Sequence, residues 1–172
     1  MPTFGDTTVR TVGLLVSAGN QMVGTPGTPA SAGNGTSISF YGNRYGDTNI
    51  YFKGVLVKAS DKTIVTNGIT DQFFVNSAIP QWWTATFPIA PAIEKDTAYY
   101  VCIIASNNIV VNIDTGGIGQ YFGDSSNSYA SPTNPTDGSL LDYYCSVYCT
   151  YALAVTTIKG IQTIKNIQSI TF

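Results

Sequence analysis

At 172 residues the chain has the length of one domain that can bury a substantial core. Charged residues make up 10% and hydrophobic residues 44% of it, so solubility rests on Gly, Ser, Thr, Asn and Tyr, and the apolar content excludes a disordered chain. Eight Lys and Arg at a net charge of −2 provide no basic patch to neutralise phosphates, which argues against nucleic-acid binding.

Residues 1–6 show no charged-then-apolar signal pattern; the expectation is either a chain made and left in a cytoplasm or a signal removed before this numbering, and the initiating Met favours the first. Residues 7–16 are β-rich without clean alternation; their apolar run, 12–16, is far short of the ~20 residues of a membrane span. Residues 19–35 read as a loop centred on Thr25-Pro26-Gly27-Thr28-Pro29, with Asn34-Gly35 as a tight turn. In 36–41, Ile38 and Phe40 alternate with Ser37 and Ser39, the pattern of a half-buried strand. Residues 49–59 form the next strand, with Gly54 marking a bulge that resets its faces. A short strand at 63–65 ends at the turn signal Asn67-Gly68, and 72–75 follows.

Residues 82–87 and 97–105 flank Pro88-Ile89-Ala90-Pro91 and read as a hairpin. The second of them is the most hydrophobic run and the expected central strand. Asn107-Asn108 turns the chain into 109–113. Residues 114–138 read as a long aromatic-bearing loop and 140–154 as the last long strand. No helix longer than a turn is expected. This makes the chain all-β: an antiparallel β-sandwich, jelly-roll-like, over residues 1–156.

Residues 157–172 then repeat as TIKGIQ, TIKNIQ, SITF, with Ile158, Ile161, Ile164, Ile167 and Ile170 three apart and Phe172 at the end. In a strand, successive isoleucines would fall on opposite faces; in an α-helix they would drift by about 60° a step. Such a segment needs a partner to cover it. It is read as an oligomerisation tail, used around a threefold axis or as a strand added to another subunit; the alternative is a last strand folded back on its own sandwich.

Catalytic chemistry has little to work with. The chain has no histidine, which removes triads, His-zinc sites and His acid–base catalysis. A glycosidase needs two carboxylates across a cleft, yet Glu94 is the one glutamate and the aspartates fall in turn contexts. No enzyme activity and no cofactor are expected. Asp114 and Asp124 are weak candidates for a loop-held calcium ion. Of the three cysteines, Cys145 and Cys149 on one strand would stand ~13 Å apart, against the ~7 Å limit for a disulfide. Cys102 could face either across a ladder, but buried free thiols are the simpler reading, and they fit a reducing compartment.

Trp82-Trp83 is the sharpest local feature. On a strand the rings face opposite sides, one to the core and one to the surface. An exposed Trp could stack on a sugar and, with Tyr121, Phe122 and Tyr129, form an aromatic ligand-binding platform; the alternative is packing under a loop or another subunit.

The order of landmarks carries a resemblance. Phe4-Gly5-Asp6-Thr7-Thr8 is followed by Gly35-Thr36-Ser37-Ile38-Ser39-Phe40-Tyr41, Lys53-Gly54-Val55-Leu56-Val57, Trp82-Trp83-Thr84-Ala85-Thr86-Phe87, Lys95-Asp96-Thr97-Ala98-Tyr99-Tyr100-Val101 and Tyr144-Cys145-Ser146-Val147-Tyr148-Cys149-Thr150-Tyr151. Over residues 4 to about 152 this resembles the jelly-roll-like β-sandwich domains of phage tail and fibre proteins, metagenomic surface proteins and secreted carbohydrate-active proteins. The resemblance implies a fold and a role in surface display or attachment, and it transfers no catalytic residue. The expected function is that of a non-enzymatic virion component: a capsid decoration, head-fibre or tail-fibre subunit. It would form a homo-oligomer, a trimer or polymer, beside other virion proteins. The alternatives are an extracellular or cell-surface carbohydrate-binding module or adhesin, or a self-assembling filament subunit. Neither a nucleic acid nor a membrane is an expected partner.

Overall fold

The computed structural model describes residues 1–16, 20–46, 49–115, 121–136 and 139–154. Their regular elements are all strands: β1 (Thr3–Gly5), β2 (Val12–Val16), β3 (Met22–Gly27), β4 (Gly33–Arg44), β5 (Ile50–Lys58), β6 (Ile64–Ile69), β7 (Phe73–Val75), β8 (Gln81–Thr86), β9 (Ala92–Ile93), β10 (Tyr99–Ala105), β11 (Ile109–Thr115), β12 (Tyr121–Asp124), β13 (Ser139–Leu141), β14 (Tyr143–Cys145) and β15 (Val147–Leu153). The oligomerisation residues Ile158, Ile161, Ile164, Ile167, Ile170 and Phe172 lie outside the described residues.

Two antiparallel sheets pack as a sandwich. The first runs β2-β11-β4-β8 across the C-terminal end of β4 and β1-β15-β4-β8 across its N-terminal part; the second runs β3-β10-β5-β6. Numbered in chain order, β2, β3, β4, β5, β6, β8, β10 and β11 give sheet orders 1-8-3-6 and 2-7-4-5. These are the interlocked Greek keys of a jelly roll. The fold class read from composition and turn spacing is the fold that forms.

Alternation builds the core. Ile38 and Phe40 of β4 meet Phe52 and Leu56 of β5, Val101 and Ile103 of β10, and Val147 of β15, all buried between the sheets. A second core lies on the outer face of the second sheet, where Met22, Val55, Val57, Cys102 and Ile104 are covered by Phe122. The cover is a flap, residues 121–136. Phe122 stacks on Tyr100 at 4.3 Å, and the Tyr129 hydroxyl donates to Gln72 Oε1 at 3.0 Å. Lys53 Nζ donates to the Tyr129 carbonyl at 3.0 Å, and Asn134 Oδ1 accepts from the Ile64 amide at 2.8 Å. Asn127 ties the flap to itself: its amide group donates to Asp124 Oδ2 and to the Thr133 carbonyl, and its Oδ1 accepts from the Thr133 amide.

Several local expectations are corrected. The runs 82–87 and 97–105 are not a hairpin: β8 pairs with β4 in one sheet and β10 with β3 and β5 in the other. The prolines therefore carry the chain between sheets. Residues 22–27, expected as loop, are β3. Pro26 is tolerated there because β12 pairs only with Met22–Gly24, leaving Pro26 an edge position. Asn34-Gly35 lies inside β4, beside a register shift against Thr150/Tyr151 rather than at a turn. Gly54 is no bulge, since β5 pairs with β10 without interruption through it.

Asn67-Gly68 does not turn the chain either. Val55 pairs with Ile69 and Val57 with Ile64, so residues 65–68 bow outwards opposite Leu56. Asn67 takes a left-handed φ of 61°, and a Cβ on Gly68 would lie 2.6 Å from the Val65 carbonyl oxygen. The long loop contains β12, and the last strand is broken into β13, β14 and β15. At Ser146 the chain passes from β11 to β4: its amide donates to the Asn112 carbonyl and its carbonyl accepts from the Tyr41 amide. All three cysteines are free and buried.

Candidate functional site

The outward positions of the first sheet are set by register. Inward go Ile38, Phe40, Trp83, Ala85, Val147 and Cys149; outward, by alternation, go Ser37, Ser39 and Tyr41 of β4, Trp82, Thr84 and Thr86 of β8, and Tyr148 and Thr150 of β15. The pairings Tyr41–Trp82, Ser39–Thr84 and Ser37–Thr86, with Tyr148–Ser39 and Thr150–Ser37, arrange them in tiers. An aromatic row lies at one end of the face and a field of hydroxyls at the other, and none of these positions carries a charge.

Trp82 is the centre of the row. Its ring meets Tyr41 edge-on at 5.4 Å and Tyr148 edge-on at 5.0 Å, and all three are half-buried. Tyr148 leans across Ser39, which is buried and shares a 2.8 Å hydrogen bond with the exposed Thr84 hydroxyl. Edge-on packing locks the rings against one another while leaving part of each to solvent.

Trp83 faces the other way, as the alternation required. It is 7% exposed, and its Nε1–H donates to the Gly42 carbonyl at 2.9 Å. The remaining expected platform residues are elsewhere. Phe122 is buried in the second core, and Tyr129 lies on the flap, its hydroxyl pKa raised by burial and by Tyr51. Tyr121 begins β12, in the second sheet. The five residues thus form no shared platform, because the flap crosses the sandwich face opposite Trp82. Tyr41 and Tyr148 take their place. Their outward phase was legible beside Phe40 and Val147, but the register that brings them to Trp82 was not.

Asp114 and Asp124 are not brought together. Asp114 is in the first sheet, 3.7 Å from Arg10. Asp124 is in the second, 1% exposed, with Oδ1 accepting from the Ser126 amide and hydroxyl and Oδ2 from Asn127. Donors already occupy the oxygens a cation would need. Among the described residues no group of three or more His, Cys, Asp or Glu gathers.

Burial pushes the Cys149 thiol up to about 12. Burial also raises Cys145, and raises Cys102 together with repulsion from Cys145 and Asp124. At neutral pH these thiols are protonated fillers rather than nucleophiles.

No protein-family model matches the sequence, and no curated protein matches it.

Proposed function

We propose that the chain is a non-enzymatic structural subunit of a phage particle, a capsid decoration, head-fibre or tail-fibre component, which self-associates through residues 157–172. One observation carries the reading: a jelly roll that roofs one outer face with its own flap and presents on the other an uncharged face of Tyr41, Trp82, Tyr148 and hydroxyls. Jelly rolls serve as capsid and lectin domains, and Trp and Tyr on a face without charge are the composition of contact surfaces. The resemblance of the landmark order to phage fibre domains supports the same role. Light scattering on the full chain and on a chain ending at Val155 tests it. A closed oligomer, such as a trimer, that falls to monomer without the tail is the expected result. Open-ended polymers lost with the tail favour a filament subunit, and a monomer in both cases overturns self-association.

The aromatic row favours a second reading, a glycan-binding attachment module. Three strands at ~4.8 Å and six residues at ~3.3 Å give the face on the order of 300 Å², about a third of what each partner buries in a standard protein interface. A short neutral oligosaccharide fits that size. On this reading Trp82→Ala abolishes retention on neutral glycans without unfolding the chain, whereas Trp83→Ala costs about 3–5 kcal/mol of stability. Retention unchanged in Trp82→Ala would remove the glycan from consideration at this face.

A further inference from the structure

The outward bow of residues 65–68 opens a groove between β6 and the segment 88–94 that leads from β8 towards β10. It consists of two adjoining hollows of about 480 and 370 Å³ that share Ile64, Val65 and Asn67, each the size of a ligand pocket. The first is mixed, with Ile64, Val65 and Ala92 beside the charged Lys58, Asp61 and Glu94. Lys58 pairs with Glu94 at 3.3 Å. Asp61 is kept below the usual carboxylate range by the Thr63 hydroxyl and amide, and by Lys58. Two carboxylates against one ammonium leave this half net negative. The second hollow is apolar, lined by Ile64, Ile69, Pro88 and Ile89, the last 62% exposed.

One segment of the chain has the complementary chemistry. Between 155 and 172 the only charged side chains are Lys159 and Lys165, and isoleucine recurs at every third position from Ile158 to Ile170. It also begins near the groove. Leu153 pairs with Gly33, and Gly33 pairs on its other side with Ile93, next to Glu94; Leu153, Ala154 and Lys95 line one shallow hollow. Eighteen residues extend to ~59 Å at ~3.3 Å each, beyond the ~40 Å diameter expected of a domain this size, which is reach enough to span to a neighbour.

We infer that this groove is the docking site for the Ile-repeat segment, residues 157–172, of a second copy of the chain, with its lysines against Asp61 and Glu94 and its isoleucines against Ile64, Ile69, Pro88 and Ile89. The inference rests on the reading of that segment as the association element. Donor segment and acceptor groove are different surfaces, so the contact is heterologous and closes a ring when the rotation permits.

Light scattering on full-length Ile89→Asp and Glu94→Lys tests it, with circular dichroism to confirm that both fold; Ile89 and Glu94 are exposed, so folding is expected to persist. Each substitution should raise the association midpoint about tenfold or more, and Lys159→Glu with Lys165→Glu should restore association to the Glu94→Lys chain. Carbodiimide should join Lys159 or Lys165 to Asp61 or Glu94 in species of dimer mass or larger. Groove variants that associate like the parent, while deletion after Val155 lowers the mass, overturn the docking site and leave tail-driven association standing. A full-length monomer unchanged by the deletion overturns the association reading itself. Cross-links confined within one chain overturn the second copy as occupant.

Discussion

A methyl group at position 54 would lie 2.5 Å from the Ile38 Cβ and 3.0 Å from its Cδ1, closer than packed carbons approach. Gly54 on β5 faces Ile38 on β4 across the core, and the absent side chain of one makes room for the other. Gly54→Ala therefore forces a central isoleucine off its rotamer or parts the sheets, a cost of about 1–3 kcal/mol. Ile38→Ala alone leaves a cavity costing about 2–5 kcal/mol. Together they should cost less than their sum by about 1 kcal/mol or more, because the added methyl occupies space the isoleucine vacates. Urea midpoints at unchanged m-values measure this; strict additivity would show that the sheets relax around position 54. The alternation of Ile38 and Phe40 with serines, and the opposed rings of Trp82 and Trp83, were legible because they are properties of one strand. Gly54 was misread as a bulge because what fills its space comes from another sheet.

The flap is the element the sequence concealed most fully. Residues 121–136 carry Gly, Ser, Asn and Pro in the proportions of a surface loop, yet Phe122 is 1% exposed and Pro135 is buried. Their burial depends on the second sheet having an apolar outer face: Val55 and Val57 on β5, Cys102 and Ile104 on β10. Those residues could be read as strand but not as two-sided strand, since a buried strand gives a continuous apolar run whichever layers cover it. Beyond β12 the flap is tied down by hydrogen bonds of Lys53, Tyr129, Asn127 and Asn134 near the surface, so it should open below the global unfolding free energy. Asn127→Ala removes the side chain that closes the loop on Asp124 and Thr133. The expected outcome is alkylation of Cys102 at pH 8 at least about tenfold faster than in the parent, with Cys145 and Cys149 unchanged, because only Cys102 lies under the flap. Equal acceleration at all three thiols would mean that the flap and the sandwich open as one unit.

At the scale of the molecule, the jelly roll distributes its thiols through both cores: Cys145 and Cys149 between the sheets and Cys102 beneath the flap. Burial is the main cause that keeps all three protonated. The same burial sets a dependence on pH. A thiol is neutral when protonated, and Cys149 moves from an ordinary 9.0 to about 12 on folding. Below pH 9 both states hold the proton and stability is unaffected. Between pH 9 and 12 the unfolded chain has released a proton that the folded chain keeps, so stability falls as pH rises, by up to about 1.4 kcal/mol per pH unit for each such thiol. Urea unfolding of the parent and of Cys149→Ala at pH 8 and pH 10, under reductant, isolates the effect. The variant starts lower because it lacks the sulfur's packing, but its loss between the two pH values should be smaller by about 1 kcal/mol. The tyrosines contribute equally to both chains and cancel in the difference. Equal losses would mean that Cys149 reaches water in the folded chain, which would contradict the close pairing of β15 with both β1 and β4.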